Sequence, residues 1–145
     1  MNLEQLMEQW RADCSIDDDH LGESSTETPN LHSKYIDQLV SFKLKLAKTK
    51  GDYNILRKNK FRYYRGELSR QELEDLGWIQ WQGVKPLKNE MEEFLEGDTE
   101  LVQMHQKVEY LNTIVMFLES VMGAIKQRDW QIRNAIQWKE FLVGM

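Results

Sequence analysis

Eight apolar residues in the last third of the chain, Leu101, Met104, Val108, Leu111, Val115, Leu118, Met122 and Ile125, succeed one another at alternating steps of three and four. Only a long α-helix brings such residues onto one side, and a repeat sustained this far is the pattern of helices that pack lengthwise. Tyr110, Ile114, Phe117, Val121 and Ala124 form a second apolar stripe beside the first. The spacing predicts a helix from Thr99, capped by Asp98, to about Leu142. Both stripes need a cover. The other helices of a 145-residue chain can supply one, and the second then points to neighbouring copies. On this reading Leu111, Val115, Leu118, Met122 and Ile125 are the oligomerisation seam. Packing within one chain is the alternative.

The remaining segments also read as helical. Leu3, Leu6, Met7 and Trp10 make residues 2–14 a short amphipathic helix, and the polar stretch SIDDDHLGESSTETPN that follows reads as a linker. A long helix is expected to begin near Pro29–Asn30. Along it Leu31, Tyr35, Leu39, Phe42, Leu46, Tyr53, Leu56 and Tyr64 share one sector, while Lys43, Lys50, Arg57, Lys58, Arg62 and Arg65 occupy another face. Gly51 allows a kink, and Gly66 can end the helix. Ser69 and Glu72 form a capping box for a short helix over 69–76 that Gly77 can stop. The segment GWIQWQGVKPLKN reads as irregular. The expected architecture is all-α: an acidic helix and linker over 1–30, a basic and aromatic helix over 31–66, a connector with a short helix over 67–97, and the long helix over 98–145.

Charge is distributed unevenly along this plan. The net charge is −5. Residues 1–30 carry one basic and eight acidic side chains, a net of −7, whereas residues 43–70 carry ten basic and two acidic ones, a net of +8. A local field of that kind binds anions whatever the total, because salt screens charges more than about 10 Å away. The lone Cys14 permits no internal disulfide and suits a reducing compartment. No stretch approaches the roughly 20 apolar residues that cross a bilayer, and the first residues lack the apolar core of a signal peptide, so an intracellular protein is expected.

Catalytic patterns are missing. Lys48–Thr49 resembles the end of a phosphate loop, but the preceding LKLA has no glycine to wrap a phosphate. His20, His32, His105 and Cys14 lack metal-ligand spacing, and Asp17, Asp18 and Asp19 read as a solvated helix start rather than an ion site. Glu92 and Glu93 read as solvent-facing charges. Neither cofactor nor metal is expected, and the chain is not expected to be an enzyme.

The segment YNILRKNKFRYYRG stands out for binding. It interleaves Arg57, Lys58, Lys60, Arg62 and Arg65 with Phe61, Tyr63 and Tyr64. Single-stranded nucleic acid is held in this way, by cations on phosphates and aromatic faces on bases. The alternative is a wet helix whose tyrosines pack inward. Tyr63 and Tyr64 lie near the apolar stripe, Phe61 lies on the basic side, and Lys60 projects among apolar residues, where an ammonium needs an anion or a path to water. With Lys43 and Lys50, the candidate contacts are Arg57, Lys58, Lys60, Phe61, Arg62, Tyr63 and Arg65.

The order of several short motifs resembles the UvsY family of recombination mediators of tailed phages. They are Met1, Leu3, Glu4 and Leu6; Asp13, Ile16, Asp17 and Leu21; Ser33–Lys34; the run from Lys58 to Gly66, K-x-K-x-x-Y-Y-x-G; and Phe117–Leu118, Ala124–Ile125–Lys126 with Arg128, and Phe141. The resemblance implies ring-like homo-oligomers that bind single-stranded DNA, contact a recombinase and a single-strand-binding protein, and help the first replace the second, in the cytoplasm of the infected bacterial host cell. It implies that Lys58 and Lys60 match DNA-binding positions and that the C-terminal part assembles the oligomer. Lys60 stands where family members can carry arginine, and residues 67–97, with Trp78 and Trp81, match poorly, so no role is carried over there. Rival readings are an oligomeric helical scaffold that binds protein or duplex DNA through its basic face, and an enzyme with an unrecognised acidic site.

Overall fold

Capping explains where the helices start and stop. The computed structural model describes residues 1–144 and contains α1 (Leu3–Asp13), α2 (Leu21–Tyr64), α3 (Arg70–Leu76), α4 (Met91–Glu96) and α5 (Thr99–Gly144), with no strand among the described residues. Asn2 and Gln5 form a reciprocal capping box at α1. Ser69 and Glu72 do the same at α3. Two glycines in the left-handed region, Gly66 at φ 71° and Gly77 at φ 72°, terminate α2 and α3. In each case the amide one residue beyond the glycine reaches back to the carbonyl five residues earlier: Glu67 to Arg62 and Trp78 to Leu73. The chain divides into two units, 1–44 with 112–145 and 45–111, and α2 and α5 contribute to both.

In the first unit α2 begins at Leu21, so the expected linker over 15–30 is helical from that point and Pro29 lies inside the helix. The buried side of α2 here reads Ser24, Thr28, Leu31, Tyr35, Leu39 and Phe42, still at steps of three and four. Its first two members are polar, so an apolar periodicity starts too late. Their partner is Arg128 of α5. The Arg128 guanidinium is buried; its Nε donates to the Thr28 hydroxyl (3.2 Å), and its terminal nitrogens donate to the carbonyls of Ser24, Cys14 and Ser15. The Cys14 and Ser15 carbonyls lie beyond the end of α1, where backbone oxygens lack helical partners, and the Ser24 carbonyl, in the first turn of α2, also accepts from the Thr28 hydroxyl. Asp13 fixes α1 to α2 by accepting from the Tyr35 hydroxyl (2.8 Å) and the Lys34 ammonium (2.6 Å), with Trp10 edge-on to the Tyr35 ring.

Both stripes of α5 are largely consumed inside this unit. Ile114, Val115, Leu118, Val121, Met122, Ile125 and Ile132 are buried in a single chain, alongside Leu6 of α1 and the apolar residues of α2. The proposed oligomer seam is therefore corrected: Val115, Leu118, Met122 and Ile125 form the protomer's own core, and Leu111 is half-buried in the second unit. The reason is supply. With α2 starting at Leu21, α1 and α2 supply Leu6, Leu31, Tyr35, Leu39 and Phe42 as further buried apolar residues. An 18-residue window of α5 has mean hydropathy 1.3, long and apolar enough by composition to cross a bilayer, contrary to the sequence expectation. One third of that window is buried inside the fold.

The second unit is built around Tyr64, Met91, Leu95 and Leu101, with Tyr53, Leu56, Tyr63, Trp81 and Phe94 packed against them. α2 passes through Gly51 unbroken. The helix α4 was not foreseen. Six residues are too few to display a period, yet Met91 and Leu95, one turn apart, carry its buried face. Asp98 caps α5 as expected, its Oδ1 accepting from the Leu101 amide at 3.0 Å.

Candidate nucleic-acid interface

Sequence places ten cations between residues 43 and 70, but the fold presents them differently. Lys60 is turned inward and is 6% exposed. Its ammonium lies 3.2 Å from Asp98 and 3.4 Å from Glu100, and 4.3 Å from the centre of the Trp78 ring. The other Asp98 contacts are the Tyr64 hydroxyl, which donates at 2.6 Å, and the Leu101 amide. Burial pushes the Asp98 carboxyl up, but these donors together with the Lys60 ammonium outweigh it and hold the group below its ordinary range. Burial, and then the bond to Asp98, raise the Tyr64 hydroxyl well above the usual tyrosine value. The Gly77 turn brings Trp78 back over this pair, and Trp81 stands edge-on to Tyr64 at 4.9 Å. Lys60 is thus corrected from a phosphate contact to the centre of a buried latch between the end of α2 and the start of α5, and Trp78 and Trp81 gain a role as its lid.

Tyr63 is likewise corrected. Its hydroxyl donates to the Ile79 carbonyl, and its ring packs edge-on to Trp78 and Tyr64, so its faces are engaged. The alternative of an inward-packing tyrosine holds for both Tyr63 and Tyr64.

Four other candidates meet carboxylates at the surface. Arg62 makes a two-pronged pair with Glu72 of α3 (2.6 and 3.1 Å), which together with Glu67 raises the guanidinium's already high proton affinity. Arg57 reaches Glu92 of α4 (2.7 Å), Arg65 reaches Glu67 (2.9 Å), and in the first unit Lys43 reaches Glu119 (3.3 Å). The single-contact pairs at Arg57, Arg65 and Lys43 are of the exposed kind worth about 0–1 kcal/mol, so a phosphate can exchange for the carboxylate there at little cost. Lys50 and Lys58 are exposed and make no ion pair among the described residues.

Phe61 remains at the surface on the same turns of α2, with the Arg65 guanidinium 5.5 Å from its ring centre. Arg57, Phe61 and Arg65 follow at steps of four and line one wall of a groove of about 550 Å³. Pro86 and Lys88 of the connector line it as well, over a floor that includes Met91 and Leu95. Lys88 was absent from the sequence candidates. Its signal was only its charge, since nothing local shows that the connector returns to α2. The second unit thereby offers a basic surface that carries the exposed Phe61 ring. No group of metal-ligating residues occurs among the described residues.

Comparison with known proteins places this geometry. A family model described as UvsY, recombination, repair and ssDNA binding protein, matches residues 9–145. The recombination protein uvsY of Enterobacteria phage T4 is 23% identical over 144 residues, which cover 99% of each chain. Two crystal forms of the bacteriophage T4 recombination mediator protein UvsY share the fold: one with a TM-score of 0.85 at 22% identity, covering 99% of this chain and 98% of that one, and one with 0.81 at 22%, covering 97% and 98%.

Proposed function

The chain belongs to the UvsY family of recombination, repair and single-stranded-DNA-binding proteins, and on that premise we propose that it loads a phage recombinase onto single strands in place of single-strand-binding protein. The observation that carries the reading is the accessible part of the basic face in the second unit. Lys50 and Lys58 are open to solvent, Arg57 and Arg65 are held only by surface carboxylates, and Phe61 presents a ring beside them. Cations of this kind neutralise phosphates with release of counter-ions, and an exposed ring accepts an unstacked base whatever its identity. Duplex DNA offers the phosphates but keeps its bases stacked, so the ring favours single strands.

The mechanism is one of binding rather than bond-making. Few cations per chain imply a weak individual contact. Several linked copies on one strand raise the apparent affinity by about 10² to 10⁴. Copies assemble, on this reading, through the apolar end of α5, where Trp138 stacks on Phe141 (5.6 Å between centres, 23° between planes) and Ile136, Leu142 and Val143 are also exposed. Large apolar side chains gathered in this way are the ordinary mark of a protein contact. A strand spread over the oligomer is held through its backbone and a few bases, and the rest remain available to a recombinase. The setting is the cytoplasm of the infected host cell.

The direct test is recombinase assembly on single-stranded DNA already coated with single-strand-binding protein. Adding this protein is expected to shorten the lag of recombinase ATP hydrolysis, and Lys58→Ala with Lys50→Ala to restore the lag. An unchanged lag with wild-type protein would refute the loading role.

A further inference from the structure

Resting on that single-strand reading, we infer that the groove between α2 and the connector is a pocket for one unstacked nucleotide, whose base lies on Phe61 and whose phosphate takes Arg57 from Glu92. Phe61 is 37% exposed and lines the groove. The groove's volume of about 550 Å³ lies within the range of small-ligand sites, about 300–1,000 Å³. Its rim is cationic: Arg57, Arg65 and Lys88 against the single acid Glu92. The Arg65 guanidinium lies over the Phe61 ring, 5.5 Å from its centre, and a base stacking there meets the ring's other face or takes the guanidinium's place. A base inside a duplex stack has no free face to offer, so the pocket selects strands whose bases can swing out.

Glu92 occupies the place at Arg57 that a phosphate would take. Its carboxylate accepts from the Arg57 Nη2 at 2.7 Å, the contact a phosphate oxygen would make. Both side chains are substantially exposed, so the pair is loosely held. A strand that brings a phosphate to Arg57 and Lys88, and a base to Phe61, gains three contacts for the one it displaces. A carboxylate-bearing peptide would compete for Arg57 but would have no base for the ring.

The test uses the full chain and two fluorescein-labelled oligonucleotides of equal length, one of thymidines and one of abasic residues with the same phosphates. Affinities are read by fluorescence anisotropy. The wild-type protein is expected to prefer the thymidine strand by at least about tenfold, the equivalent of one stacked base. Phe61→Leu should bring the ratio close to one, Phe61→Tyr should keep it, and Lys88→Ala should weaken both strands alike. Glu92→Gln should tighten both strands with the ratio unchanged. Circular dichroism of each variant controls for folding, which the exposure of these side chains leaves secure. A wild-type ratio near one, or a Phe61→Leu protein that keeps the wild-type ratio, would overturn the pocket while leaving single-strand binding intact. Unaltered affinity in Glu92→Gln would overturn the exchange at Arg57. A wild-type protein that binds neither strand would overturn the single-strand reading together with the pocket.

Discussion

Replacing Lys60 by methionine separates a structural latch from a DNA contact. The ammonium is lost but most of the side-chain volume stays. The pair it breaks is buried on both sides, with Lys60 and Asp98 side chains 8% and 4% exposed. Removing one member of such a pair costs about 3–5 kcal/mol because the remaining charge is left without its counter-ion. Asp98 keeps the Tyr64 hydroxyl and the Leu101 amide, which argues for the lower end. Glu100 is half exposed and adds little. A loss of about 3 kcal/mol in a chain of this size lowers the unfolding midpoint by on the order of 10 °C. Thermal unfolding followed by circular dichroism, at one protein concentration, gives that shift. The double variant Lys60→Met with Asp98→Asn should recover part of it, since no bare carboxylate remains. In the same proteins at 25 °C, affinity for single-stranded DNA and its salt slope should be nearly those of the wild type. Lys58→Ala should do the reverse: an unchanged midpoint and a log–log salt slope reduced by about 0.7. A Lys60→Met protein with a wild-type midpoint and a flattened slope would refute the latch.

Three further outcomes follow from the described contacts. Arg128→Ala should lower the urea midpoint by the equivalent of about 3 kcal/mol, because three carbonyls and the Thr28 hydroxyl lose their donor; Arg128→Lys should rescue little, lacking the fork, and full rescue would contradict the clamp. Trp138→Ala with Phe141→Ala should reduce the mass seen by light scattering while helicity stays, whereas Leu118→Asp should lose helicity itself, since Leu118 is 0% exposed; a folded, dissociated Leu118→Asp protein would restore that residue to the seam. Asp98 is held below its ordinary value of 3.8, so its contribution is present above that pH and is lost as pH falls through the lower value in the fold; stability should drop more steeply below about pH 4 in the wild type than in Asp98→Asn, and equal slopes would contradict the buried network.

Helical class, the Ser69–Glu72 capping box and the Asp98 cap were legible because each rests on local chemistry; the Asn2–Gln5 box at α1 was equally local but went unread. The start of α2 was not, because Ser24 and Thr28 occupy its buried positions and their partner Arg128 lies a hundred residues away. A heptad stripe tells which residues must be covered but not by what. Val115 and Leu118 were thus assigned to a neighbour although both are buried within one chain. The same limit affects the site. The basic run was plain, yet Lys58 and Lys60 differ only in the face of the helix they occupy, and it took Asp98 and Trp78, brought in from the connector and α5, to show which one is buried. The warning was present in Lys60's place among apolar residues. Lys88 and the groove depend on the path of residues 77–90, which local signals leave undetermined.

Single-strand preference tests the account most directly. Anisotropy titrations of the wild-type protein on a single strand and on a duplex of the same length, at one stated salt concentration, compare phosphates alone with phosphates plus free base faces. Tighter binding to the single strand, by about tenfold or more for one stacked base, is the predicted result. Equal or tighter binding to the duplex would contradict it and would turn the basic face into a duplex or protein contact.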